Sequence, residues 1–111
     1  MGNKKLIVAL GSLFISLTLL CGAAFAAEKP IKIGVLFEMS GPMGGYGKHG
    51  THAVQMAIDE INAGGGILGR KVEALYEDTK LKPDIATEIT KKFIFQDRVD
   101  FIIGPTSSAV A

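Results

Sequence analysis

Apolar and polar residues follow several distinct rhythms along this chain. Residues 6–20 are apolar without a single charge. Ile31-Lys32-Ile33-Gly34-Val35-Leu36-Phe37 is rich in β-branched and aromatic residues and too uniformly apolar for a half-exposed strand, so it predicts a buried parallel one. Ser40-Gly41-Pro42 and Gly44-Gly45 then break the run and predict a loop over residues 38–47. From about Gly50 the period becomes helical, with Val54, Ala57, Ile58 and Ile61 on one face and Gln55, Asp59 and Asn62 away from it. Gly64-Gly65-Gly66 closes that helix, because glycine past the last turn accepts the left-handed cap conformation.

A turn at residues 67–70 leads to a second strand over residues 71–77. Val72, Ala74 and Tyr76 alternate there with Glu73, Leu75 and Glu77, the pattern of a strand near a sheet edge. Pro83 opens a second helix, where its missing N–H costs nothing. Ile85, Ile89 and Phe93, with Ala86 and Ile94 beside them, form its apolar stripe. Residues 99–103 predict a third strand, and residues 104–108 turn toward a further helix. Alternation of strand and helix implies right-handed crossovers and a parallel sheet. The expected fold class is α/β, a Rossmann-like parallel sheet in the order 2-1-3. That order makes the carboxyl ends of strands one and three a topological switch point, where ligands bind in open α/β sheets. The loops that meet there are residues 38–47 and 104–108.

The amino-terminal segment has the three parts of a secretory signal peptide: Lys4 and Lys5, the apolar run, and Ala24-Phe25-Ala26 with small residues at the cleavage positions. Residues 1–26 are therefore expected to be removed on export. A retained membrane anchor is the competing reading, since the apolar stretch is long enough to span a bilayer. Lipid attachment at Cys21 is disfavoured by Leu20 before it. Loss of Lys4 and Lys5 with the leader shifts the formal charge from +1 to −1. The remainder has no cysteine, hence no disulfide or thiolate chemistry, and no basic patch suited to nucleic acid.

Candidate chemistry is sparse. Gly45-Tyr46-Gly47-Lys48-His49-Gly50 fits the dinucleotide pattern in letters, but seven residues separate it from the first strand, so no nucleotide cofactor is expected. His49 and His52 have no third ligand in view and read as surface residues. Thr106-Ser107-Ser108 opens a predicted helix, where free N–H groups and hydroxyls suit a small carboxylate, although the same atoms also serve as a plain cap. Tyr46, in the glycine-rich loop, reads either as an exposed ring that stabilises the loop or as a wall of a ligand pocket. No catalytic constellation can be composed, and an enzyme is not expected.

Taken in order, Ile31-Lys32-Ile33-Gly34-Val35-Leu36, Ser40-Gly41-Pro42, Tyr46-Gly47, Ala57-Ile58-Asp59-Glu60-Ile61-Asn62, Gly64-Gly65-Gly66-Ile67 and Ile103-Gly104-Pro105 resemble the branched-chain amino acid-binding proteins of ABC importers, of the type I periplasmic-binding family. The resemblance implies that residues 27–111 are the first part of the amino-terminal lobe of a two-lobed protein that closes on its ligand. It implies ligand contacts at Ser108, with Ser107 adjacent, and at Tyr46. It also implies a periplasmic location, a small-molecule ligand such as an amino acid or a related carboxylate or amide, a membrane permease as partner, and a monomer when complete. A receptor or sensor ectodomain of the same fold is the alternative role.

Overall fold

The computed structural model describes residues 28–111, and the leader, Cys21 and the cleavage site lie outside them. A parallel sheet of three strands has the order β2-β1-β3, as the crossover pattern predicts, with β1 at Ile31–Phe37, β2 at Val72–Asp78 and β3 at Phe101–Ile103. β1 pairs with β2 along its whole length, from Ile31 opposite Val72 to Phe37 opposite Asp78. Only Ile33, Gly34 and Val35 pair with β3. The predicted third strand is thus trimmed at its start. Asp100 is occupied otherwise, exchanging hydrogen bonds with Lys32: its amide donates to the Lys32 carbonyl and its carboxylate accepts from the Lys32 amide.

Two helices cover the sheet, α1 at Gly44–Ala63 and α2 at Pro83–Lys92. α1 packs Ile58 and Val54 onto Ile31, Ile33, Val72 and Ala74. Its end is tied to β2 by Asn62, whose amide donates to the Val72 carbonyl at 2.8 Å and whose carbonyl accepts from the Val72 amide at 2.8 Å. Ala57 and Ile61, expected on the buried face, are exposed, so the apolar contact is narrower than the sequence period suggested. α2 opens on Pro83 and Asp84 and carries Lys91 and Lys92 in its last turn, an arrangement that complements its dipole. It continues as a π-helical turn, Phe93–Asp97, that ends at left-handed Arg98.

On the α2 side the core is Leu36, Ala86, Ile89, Phe93 and Val110. Phe93 is fully buried, and burying such a side chain contributes about 1.5–3 kcal/mol. Ile94, expected beside the stripe, is half-exposed because Phe93 alone points inward at the start of the wide turn.

The start of α1 departs from the sequence expectation. A 3-10 turn at Gly41–Met43 runs directly into the helix, so residues 44–47 form its first turn rather than a loop. Glycine is a poor helix former, yet here it is required by close packing. A Cβ at Gly47 would lie 2.1 Å from the Glu38 carbonyl oxygen. A Cβ at Gly50 would meet the Phe37 ring at 2.9 Å. Tertiary contact overrides propensity, and the dinucleotide-like letters lie inside a helix where packing accounts for Gly47 and Gly50, while Gly45 faces open space.

Gly34 in the central strand has a similar role, since a Cβ there would sit 2.4 Å from Cδ2 of Phe93. Gly34→Ala is expected to destabilise the full-length protein by about 1–3 kcal/mol through overpacking, and Phe93→Leu in the same chain to recover part of the loss. Denaturant midpoints of the two variants check this. An unchanged midpoint for Gly34→Ala would show that Phe93 does not seat on β1.

Candidate functional site

β1 delivers Glu38, and β3 delivers residues 104–108, to the same carboxyl edge of the sheet. The turn out of β3 depends on Gly104, whose φ of +114° lies where side chains are strained. A Cβ there would also fall 1.9 Å from the Leu36 carbonyl oxygen. This backbone contact brings the two loops together.

Glu38 joins them. Its side chain is fully buried, and Oε2 accepts from the Thr106 amide at 3.1 Å and from the Thr106 hydroxyl. Oε1 is buried without a hydrogen-bond partner among the described residues. Burial alone pushes the Glu38 pKa up. The hydrogen bonds of the Thr106 hydroxyl and of the backbone at Glu38, Thr106 and Ser107 outweigh it and hold the carboxyl below its ordinary 4.5.

Asp78, at the end of β2, braces the other side of the β1 loop. It accepts from the Met39 amide at 2.9 Å and the Lys80 amide at 2.8 Å. Burial raises its pKa, but the Ser40 hydroxyl, those two amides and the charge of Lys80 hold it below 3.8. The Thr79 amide adds a bond to the Phe37 carbonyl at 2.9 Å.

Of the residues singled out from sequence, only Ser107 and Ser108 adjoin this junction in the chain, directly after Thr106. Ser107 is half-buried, and its hydroxyl accepts from the Ala109 amide at 3.3 Å, a capping role. Ser108 is exposed. The chain after Ser107 forms a turn, closed by the Val110 amide on the Ser107 carbonyl at 3.0 Å. Tyr46 stands on the first turn of α1 with 69% of its surface exposed. The hollow it lines, about 300 Å³, is shared with Pro42, Gly45 and His49 and does not include the serines. His49 and His52 are exposed, and no metal-type cluster of three or more groups forms among the described residues.

Glu38 was missed in the sequence reading. The available signal was an acid directly after an apolar strand, at the switch point, facing a loop of small hydroxyl residues. A larger hollow of about 510 Å³, lined by Lys29, Lys32, Arg70, Arg98 and their neighbours, lies at the opposite edge, where the strands begin. Switch-point topology favours the smaller carboxyl-edge region over it.

A family model described as periplasmic binding protein matches residues 30–111. This chain belongs to that family. It is 38% identical over 96 residues to the Leu/Ile/Val-binding protein BraC3 of Rhizobium johnstonii, which covers 85% of this chain and 26% of the relative. The chain therefore spans about a quarter of the length of that curated relative. Among solved structures it is similar to the branched-chain amino acid transporter substrate binding protein LivJ of Streptococcus pneumoniae in complex with isoleucine. The TM-score is 0.71 at 38% identity, over 73% of this chain and 23% of that one. It is also similar to a solute binding protein of an ABC transporter from R. palustris in complex with benzoate, with TM-score 0.65 and 30% identity over 73% of this chain and 22% of that one. The expected α/β class, the order 2-1-3 and the periplasmic-binding family are thereby met.

Two carboxyl groups with depressed pKa values stabilise the loop junction of this family member. Such groups contribute fully above their unfolded values and lose the contribution as pH falls through the lower folded ones. Stability of the full-length protein is therefore expected to decline as pH drops below the ordinary values of 4.5 for Glu38 and 3.8 for Asp78. Urea midpoints between about pH 6 and 3 check this, with a shallower decline expected for Glu38→Gln combined with Asp78→Asn. An equally steep decline in that variant would place the acid sensitivity elsewhere.

Proposed function

We propose that this chain belongs to the extracytoplasmic solute-binding component of an ABC importer, and that it takes a small amino acid, branched-chain types first, or a related carboxylate. One observation carries the reading: a carboxyl-edge junction with an exposed Ser108, in a chain as similar to an isoleucine-bound protein as to its curated Leu/Ile/Val-binding relative. Isoleucine and benzoate, the ligands of the two similar structures, share a carboxylate. Hydroxyl and amide donors at a loop of small residues answer that group. Tyr46, exposed on the neighbouring turn, supplies a flat wall for the rest of the ligand.

The role is binding rather than catalysis. No described side chains compose a nucleophile with its base, and relatives of this sequence are binding proteins by name. Uptake would proceed by closure of two lobes on the ligand and docking of the closed form on a membrane permease. The protein works in the periplasm, after removal of residues 1–26, as a monomer and without nucleic acid.

Ser108→Ala in the full-length protein is expected to weaken L-isoleucine binding about tenfold or more, since a hydrogen bond to a charged group contributes about 1.5–3 kcal/mol. Calorimetric titration measures it. Equal affinities would reduce Ser108 to a turn residue, and a wild-type protein that binds neither L-isoleucine nor benzoate would contradict the proposed ligand class.

A further inference from the structure

Burying a carboxylate is costly unless it is paired, and an apolar side chain of similar size commonly serves stability better. Glu38 is fully buried, and no ion pair reaches it among the described residues. Both the amide and the hydroxyl of Thr106, the residue immediately before Ser107 and Ser108, donate to its Oε2 across from β1. The Val110 side chain, buried in the core below, fixes the far end of the same turn. Between these two fixed points lie Ser107, Ser108 and Ala109.

We propose that Glu38 is a positioning residue, clamping Thr106 from beneath so that Ser107 and Ser108 are held in the geometry that receives a ligand carboxylate. The proposal rests on the reading of this junction as the ligand site. One carboxylate oxygen takes both the amide and the hydroxyl of Thr106, which fixes the backbone and the side chain of that residue together. A loop ordered before the ligand arrives avoids the cost of ordering it on binding. Glu38 itself touches no ligand in this scheme.

Residue-by-residue amide hydrogen exchange on the ligand-free, full-length protein tests the clamp. Glu38→Gln should lower protection of the Thr106 and Ser107 amides about tenfold, the equivalent of about 1.4 kcal/mol. Thr106→Val, which removes only the hydroxyl, should lower it in the same direction, and Thr106→Ser should retain wild-type protection. Titration with L-isoleucine should then show Glu38→Gln and Thr106→Val each binding several-fold more weakly. The double variant should be no weaker than the weaker single one, and Thr106→Ser should match wild type. Unchanged protection in Glu38→Gln overturns the clamp whatever the ligand. Multiplying losses in the double variant would show the two side chains acting separately and would also overturn it. If wild-type protein binds neither L-isoleucine nor benzoate, the ligand reading fails, and the exchange result alone decides whether Glu38 orders the loop.

Discussion

Placing β1 between β2 and β3 is the constraint on which the rest of this structure depends. The first crossover leaves the central strand and the second passes over it from β2 to β3, and their common handedness sends the helices to opposite faces. The two core clusters follow from that split, one around Ile31, Ile58 and Val72 and the other around Leu36, Ala86, Ile89 and Phe93. So does the meeting of the loops after β1 and β3 at the carboxyl edge, the topological switch point of the sheet. Gly34 and Gly104 allow the central strand to be approached this closely. Without them, the Phe93 ring and the turn after β3 would collide with β1.

At the carboxyl edge the apolar logic of the sheet gives way to a polar one. Glu38 follows β1 and Asp78 is the last residue of β2, and both accept hydrogen bonds from the loop amides that pairing has left free. Buried backbone groups must find partners, and here carboxylates supply them. The result is a small junction with the Glu38 charge facing inward, the Thr106 hydroxyl turned onto it and Ser108 exposed. Lys92 works similarly at a distance, bonding Glu77 at 2.5 Å across from the end of α2.

Much of this was legible in the sequence because it depended on local hydrophobic pattern. The bounds of β1, the alternation in β2 and the strand order followed from runs and periods in residues 31–103. The glycines of residues 44–47 read as a loop, since Gly44 and Gly47 pack against the carbonyls of Met39 and Glu38, which no local pattern reveals. Exposure of Ile61, Ile94 and Phe101 likewise escaped notice, because period identifies an apolar face but not what lies against it. Topology and resemblance direct attention to Tyr46, Ser107 and Ser108 in the loops that follow β1 and β3. Glu38 escapes that reading, because an acid just after an apolar strand shows its burial only with its partner 68 residues away.

The central claim is that a small carboxylate is received where β1 and β3 end. Amide chemical-shift mapping of the full-length, isotope-labelled protein during titration with L-isoleucine tests it most directly. Saturable shifts confined in this segment to Thr106, Ser107, Ser108 and the first turn of α1 at Tyr46 are the predicted result. Shifts that instead cluster on Lys29, Lys32, Arg70 and Arg98, at the opposite edge of the sheet, would contradict it.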